Sequence, residues 1–259
     1  MTSRFIAILA AVTVLLSGCV FNPQQPVALS PDAMGSQAGR IGVAMTPMPK
    51  QDTQVSGADC LLCLMVAISA NSALTTHAKT LSYEDLPTLK NQVADLLRKK
   101  GAVVTVIDDD LDVSSLPDFQ TQGPNLARKD FSSLQKNYQI DRLVVINIIA
   151  IGFTRSYSAY IPTSDPKGLL RGLGYMVDLK SNTYSWYQPV AVTKSSDGPW
   201  DEPPRFPGLT NAYFQALEMG KDSFLKPFAE GAVTGTADMT GKGPATPAGA
   251  RGDSAQSQQ

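Results

Sequence analysis

A single histidine, three cysteines and 7% aromatic residues in 259 positions leave little material for the common enzyme chemistries. With His77 alone, no metal site built on two histidines exists, and any Ser-His or Cys-His pair has one candidate base. The Gly-x-Ser-x-Gly nucleophile turn is absent. The glycine-rich stretch Gly168 to Gly174, GLLRGLG, lacks the Gly-Lys-Ser/Thr ending that a phosphate loop needs. The acidic run from Asp108 to Asp112 begins like a calcium loop. Val113 and Phe119 stand where such a loop needs its glycine and its bidentate glutamate, so the run reads as a solvated acidic turn. A formal charge of −1 removes the basic excess that nucleic-acid binding requires. No uninterrupted apolar run reaches the roughly 20 residues of a spanning helix. These absences together predict a protein that is not an enzyme, with no catalytic residue, no metal and no cofactor.

What is present begins at the amino terminus. Arg4 precedes a nearly continuous apolar stretch from Phe5 to Leu16, 12 residues long, which is the pattern of a secretory signal. Leu16-Ser17-Gly18-Cys19 follows and resembles the lipobox of bacterial lipoproteins. The resemblance implies that Cys19 is acylated and becomes the first residue of the mature chain. One acyl chain holds only marginally and two or more hold stably, so a multiply acylated Cys19 anchors the protein unaided. Val20 stands where aspartate marks inner-membrane retention in the Gram-negative sorting pattern. The expected address is therefore the outer membrane, with the domain in the periplasm.

Composition then divides the chain. Residues 1–18 are the signal peptide, and residues 19–39, rich in Pro, Gln, Ser and Gly, read as a lipidated flexible tether. Residues 40–232 form the folded domain, and residues 233–259 are too polar to offset their ordering entropy and read as a disordered tail. The Arg251-Gly252-Asp253 triplet in that tail is of the kind that arises by chance in polar sequence.

Within the domain, Ile41 to Met45 reads as a strand closed by Pro47 and Pro49. Asp85 to Lys100 reads as a helix with Pro87 in its first turn, and Leu89, Val93, Leu96 and Leu97 on one face. Ala102 to Ile107 reads as a buried strand. Asp130 to Tyr138 is a second helix with Asp130 as its cap. Leu143 to Ile151, continuous and β-branched, has the character of a central strand. Ile161 to Leu173 reads as a long loop. Gly172 to Leu179 and Tyr184 to Val192 form a hairpin, with Pro189 at an edge or bulge. Leu209 to Phe228 is the last helix. The order β-α-β-α-β-β-β-α predicts a single α/β (α+β) domain, a mixed sheet with helices packed on it.

That order, after a lipobox and a tether, resembles a group of Gram-negative envelope lipoproteins with an anticodon-binding-domain-like α/β fold. The group includes the curli-secretion lipoprotein CsgG and the penicillin-binding-protein activator LpoB. The segments that carry the resemblance are Arg40 to Pro47, Asp85 to Asp108, Asp141 to Phe153 and Gly172 to Trp186, the last reading GLGYMVDLKSNTYSW. It implies a tethered module that binds an envelope protein partner or forms a homo-oligomer. Membrane-spanning hairpins need paired alternating stretches of about ten residues, and two such pairs are not found.

The segment Ala58 to Leu74, ADCLLCLMVAISANSAL, leaves several readings open. Cys60 and Cys63 are candidates for a disulfide in an oxidising envelope, for a redox dithiol, or for half of a zinc site with His77 and Asp59. The apolar residues from Cys60 to Ala70 are a helix buried in the monomer, or a self-association or membrane surface. Candidate partner-binding residues are Tyr157, Tyr160 and Arg171 near the expected loop, and an exposed Trp200 in the proline-rich segment Pro199 to Pro207. The expected function is an outer-membrane-anchored, non-catalytic, partner-binding or self-assembling module in cell-envelope assembly. The alternatives are an oligomeric secretion or channel component and a periplasmic dithiol redox protein.

Overall fold

The structure, a computed structural model, describes residues 23–83 and 85–229. The signal peptide, Cys19 and the 233–259 tail lie outside the described residues. The architecture is a single seven-stranded mixed sheet with helices packed against it. In chain order the elements are β1 (Arg40–Met45), β2 (Asp52–Ser56), α1 (Leu61–Ala70), α2 (Ser72–Ala78), α3 (Leu89–Lys99) and β3 (Val103–Val106). Then come α4 (Ser132–Tyr138), β4 (Arg142–Ser158), β5 (Ile161–Pro162), β6 (Lys167–Asp178), β7 (Thr183–Ser195) and α5 (Pro207–Ala229).

The strands expected from the sequence make the sheet's main path, β3-β1-β4-β6-β7. β1 is parallel to both β3 and β4, while β4, β6 and β7 form an antiparallel meander. Its centre is β4, whose apolar run buries both faces of the strand from Leu143 to Ile146. β4 runs well past the expected Ile151. Its first half pairs with β1, and its second half, Gly152 to Ser156, pairs in parallel with β2.

One face of the sheet carries α3 and α5. Leu89, Val93 and Leu97 of α3 and Tyr213, Leu217, Phe224 and Phe228 of α5 are buried there with Ile41, Val43, Val144, Ile146 and Trp186. The other face is covered by α4 and the loops before it, with Phe131, Leu134, Ile140, Tyr175 and Val177 in the second core.

Three expectations need correction. Residues from Ile161 to Leu173 are not one long loop; β5 pairs with Tyr157 and Ser158 of β4, and after a link over 163–166 the first half of β6, Lys167 to Leu173, pairs with Asn147 to Thr154. Backbone pairing with the extended β4 overrides the breaker signal of Pro162 and Gly168. Ala102 to Ile107 is not a buried strand: β3 is the sheet's outer strand and Val103 stands 64% exposed. The tether expected over 19–39 is largely part of the domain. Leu29, Ala33, Met34 and Ala38 are buried in the first core, and Val27 exchanges two backbone hydrogen bonds with Tyr187 of β7 at 2.9 and 3.0 Å. Pro189 lies on β7, the outer strand at the opposite edge, as its missing N–H requires.

Candidate functional site

The site is built where β2 ends. Gly57, with φ +83°, turns the chain so closely over the end of β4 that a Cβ there would lie 2.1 Å from the Tyr157 carbonyl oxygen. Its own carbonyl accepts from Ala159 N at 3.2 Å. Three residues on, Cys60 caps α1: Leu64 N donates to Cys60 O at 2.8 Å, and Cys63 N donates to Cys60 Sγ at 2.9 Å. Cys60 and Cys63 are joined by a disulfide.

The side of α1 that faces the protein is set by small residues. Cys63 and Ala67 are buried against Ala58, Tyr157 and Val55. The stripe continues through Asn71, between the two helices, to Leu74 and Ala78 of α2, all buried. α1 and α2 meet at Asn71 with a bend of 61°. Asn71 Nδ2 donates to Ala67 O and to the Tyr157 hydroxyl.

The large residues of α1 all point away. Leu61 is 79% exposed, Leu62 70%, Met65 62% and Ile68 55%, with Leu64 and Val66 also open. At the same end of the sheet, the β4–β5 turn leaves Tyr160 and Ile161 exposed. Single exposed apolar residues are ordinary, whereas six in one ten-residue helix form a patch of the kind that marks an interaction surface. No Lys or Arg occurs between Lys50 and Lys79, so α1 and its flanking turns carry no basic residue of their own.

The other candidates separate. Tyr157 is buried, a support for α1 and not a rim residue, because its hydroxyl finds a partner in Asn71 and its ring fills the space under Ala67. Arg171 is exposed but pairs in register with Ala150 and Ala191. Eight residues of β4, from Ile151 to Ser158, separate Ala150 from the turn that holds Tyr160, about 26 Å along a strand, so the two do not share a surface. Trp200 is not free. It stacks on Phe206 at 6.2 Å, the Arg155 guanidinium lies 4.9 Å over its ring, and it packs against the main core.

His77 is far from a metal role. Its Nε2 lies 2.7 Å from Thr210 Oγ1, and its ring stacks on Phe153 and tilts against Phe206. Burial, then the Arg205 guanidinium, holds its pKa below the ordinary histidine value. Among the described residues no group of three His, Cys, Asp or Glu side chains converges as a metal site would require. At the acidic turn, Lys90 Nζ donates to the Ile107 and Asp108 carbonyls, and Asp112 accepts from Ser114 N. Among the described residues no single helix is long and apolar enough to cross a membrane.

Sequence reasoning found the apolar run but missed the buried stripe that orients it. The signal was there in the small residues Cys63, Ala67 and Asn71, spaced by four. In a helix apolar on every side, the small residues allow close approach and so mark the packed face.

No protein-family model matches the chain. No curated protein matches it either. Among solved structures, the PelC dodecamer from Paraburkholderia phytofirmans is similar at 9% identity and a TM-score of 0.32, over 79% of this chain and 94% of that one. Lipoprotein GNA1162 from Neisseria meningitidis is similar at 11% identity and a TM-score of 0.28, over 70% of this chain and 95% of that one. Protein XCC0632 from Xanthomonas campestris, a DUF330 protein, is similar at 10% identity and a TM-score of 0.32, over 78% of this chain and 90% of that one. At such scores the similarity is one of distant fold only.

Proposed function

We propose that this chain is an outer-membrane-anchored lipoprotein whose domain works by docking protein at the α1 end of its sheet. In this reading it is a binding and assembling module of the cell envelope, of the kind the resemblance to the CsgG and LpoB group implies. The observation that carries the reading is the orientation of α1: its small residues face the domain and its large apolar residues face out. Covering the exposed parts of Leu61, Leu62, Met65 and Ile68 with a docked surface would recover at most about 1.5–3 kcal/mol each. A protein surface suits the patch better than a bilayer surface. Helices that lie on membranes carry Lys and Arg on their polar side, and no basic residue flanks α1 before Lys79.

The test is photocrosslinking in cells from an unnatural residue placed at position 62 of the full chain. A protein adduct of defined mass is expected, and its mass tells a second copy from a different partner. Labelling of lipid alone, or no adduct from a folded and lipidated protein, overturns the reading. Light scattering of the fragment that starts after Cys19 gives the complementary answer. A discrete oligomer that Leu62→Ser with Met65→Ser dissolves identifies the partner as the chain itself.

A further inference from the structure

The docking surface surrounds a group with chemistry of its own. Cys60 and Cys63 stand immediately after a strand and a short turn, at the start of a ten-residue helix. Cys60 is exposed and Cys63 is buried. The Cys63 backbone N–H points at Cys60 Sγ at 2.9 Å. That donor and the N-terminus of α1 both stabilise negative charge on the Cys60 sulfur. The two residues between the cysteines, Leu61 and Leu62, are the most exposed large apolar side chains among the described residues. A bond spanning three positions closes a very small loop, so it constrains the unfolded chain little. An exposed disulfide that contributes little to the fold, held so that its outer sulfur leaves readily as a thiolate, is suited to exchange.

We infer that Cys60–Cys63 is a thiol–disulfide exchange site, and that the protein docked on α1 presents an apolar polypeptide segment bearing two thiols. The inference rests on the docking reading and names the chemical class of the partner. A partner thiolate attacks Cys60 Sγ. The new S–S bond joins the partner to Cys60, the Cys60–Cys63 bond breaks, and its electron pair leaves on Cys63, which takes a proton. The partner's second thiolate then attacks its own sulfur in the mixed disulfide, and the pair leaves on Cys60. The partner's two thiols are oxidised to one disulfide, the protein's disulfide is reduced to two thiols, and two protons pass from the first pair to the second. The protein's disulfide is the oxidant, and the reaction is one-for-one.

Two synthetic peptides test this on the full chain in detergent. Both carry the same leucine-rich sequence, one with two cysteines in the reduced form and one with serines in their place. Binding is read by fluorescence anisotropy, and thiols are mapped by alkylation and mass spectrometry, which keeps Cys19 apart from the pair. Both peptides are expected to bind. The cysteine peptide is expected to become oxidised as Cys60 and Cys63 become alkylatable in equal amount, and the Cys60→Ser, Cys63→Ser double variant is expected to bind without oxidising it. Binding of both peptides with no oxidation overturns the exchange and leaves docking standing. Failure of both to bind counts against docking itself. A chemical control is independent of docking. In the single variants, oxidised glutathione is expected to modify Cys60 of Cys63→Ser at least about tenfold faster than Cys63 of Cys60→Ser. Equal rates overturn the assignment of Cys60 as the attacked sulfur.

Discussion

The Asn71 side-chain amide donates to the Tyr157 hydroxyl at 2.6 Å and to the Ala67 carbonyl at 2.7 Å, fixing the α1–α2 joint to the far end of β4. Both amide hydrogens are used, and Asn71 is almost wholly buried. Tyr157→Phe keeps the ring under Ala67 and removes only the acceptor. The N–H then stays buried without a partner, which costs about 1–3 kcal/mol. The expected result is a lower urea midpoint, with faster amide exchange concentrated in α1 and α2. An unchanged midpoint would show that the joint does not depend on this bond.

Gly152 marks where β4 passes from β1 to β2. Its φ of +131° disfavours an L side chain, and a Cβ there would sit 2.0 Å from the Asp52 carbonyl oxygen. Gly152→Ala therefore strains the backbone and pushes β2 off β4 at once. The two effects together come to about 2–4 kcal/mol. Because β2 leads directly into the Cys60 turn, the α1 patch should lose its order with it. Urea unfolding and protection of the β2 amides measure this, and wild-type values in both would refute the argument.

The main sheet was legible because its strands advertise themselves. Leu143 to Ile151 is apolar and β-branched without a break, and α3 and α5 repeat apolar residues at helical spacing. β2 was not legible. Asp52-Thr53-Gln54-Val55-Ser56 has one large apolar residue, and it is a strand only because the second half of β4 offers it a parallel partner. Pairing with β4 likewise turned most of the expected loop at Ile161 to Leu173 into strand. At the candidate site, the sequence disclosed an apolar helix with two cysteines at its start. Which side of it faces water depends on Tyr157 and Asn71, 86 positions apart, and no local pattern carries that information.

His77 is the chain's only histidine, so its titration is unambiguous. Burial first, and Arg205 second, lower its pKa from 6.5. The unfolded chain therefore binds the proton more readily than the folded one. The contribution of neutral His77 is fully present above the unfolded value and is lost as pH falls through the folded one. The imidazole C2 proton should titrate with a midpoint below 6.5 in the folded protein and near 6.5 in urea. His77→Gln should flatten the dependence of stability on pH across that window. A folded midpoint at or above the unfolded one would reverse the sign and defeat the prediction.

The amino-terminal arm separates a tether from a structural element. Pro31–Ala33 and Ser36–Ala38 form two short 3-10 turns, and between them Met34 is buried to 1% exposure. Arg142 Nη1 donates to the Ala38 carbonyl at 2.7 Å, joining the end of the arm to the first residue of β4. A tether would tolerate any polar substitution along this stretch. A core segment would not, because Met34 lies in the same apolar cluster as Leu97 and Ile41. Met34→Ala removes its buried methylenes and sulfur and leaves a cavity that rigid neighbours fill only in part, a loss of about 2–5 kcal/mol. Gln25→Ala, exposed and ahead of the Val27 bridge, should change stability by no more than about 0.5 kcal/mol. Urea denaturation of both variants decides between the two roles. If Met34→Ala is as neutral as Gln25→Ala, the arm is a tether after all, free of the core over the whole stretch to Arg40.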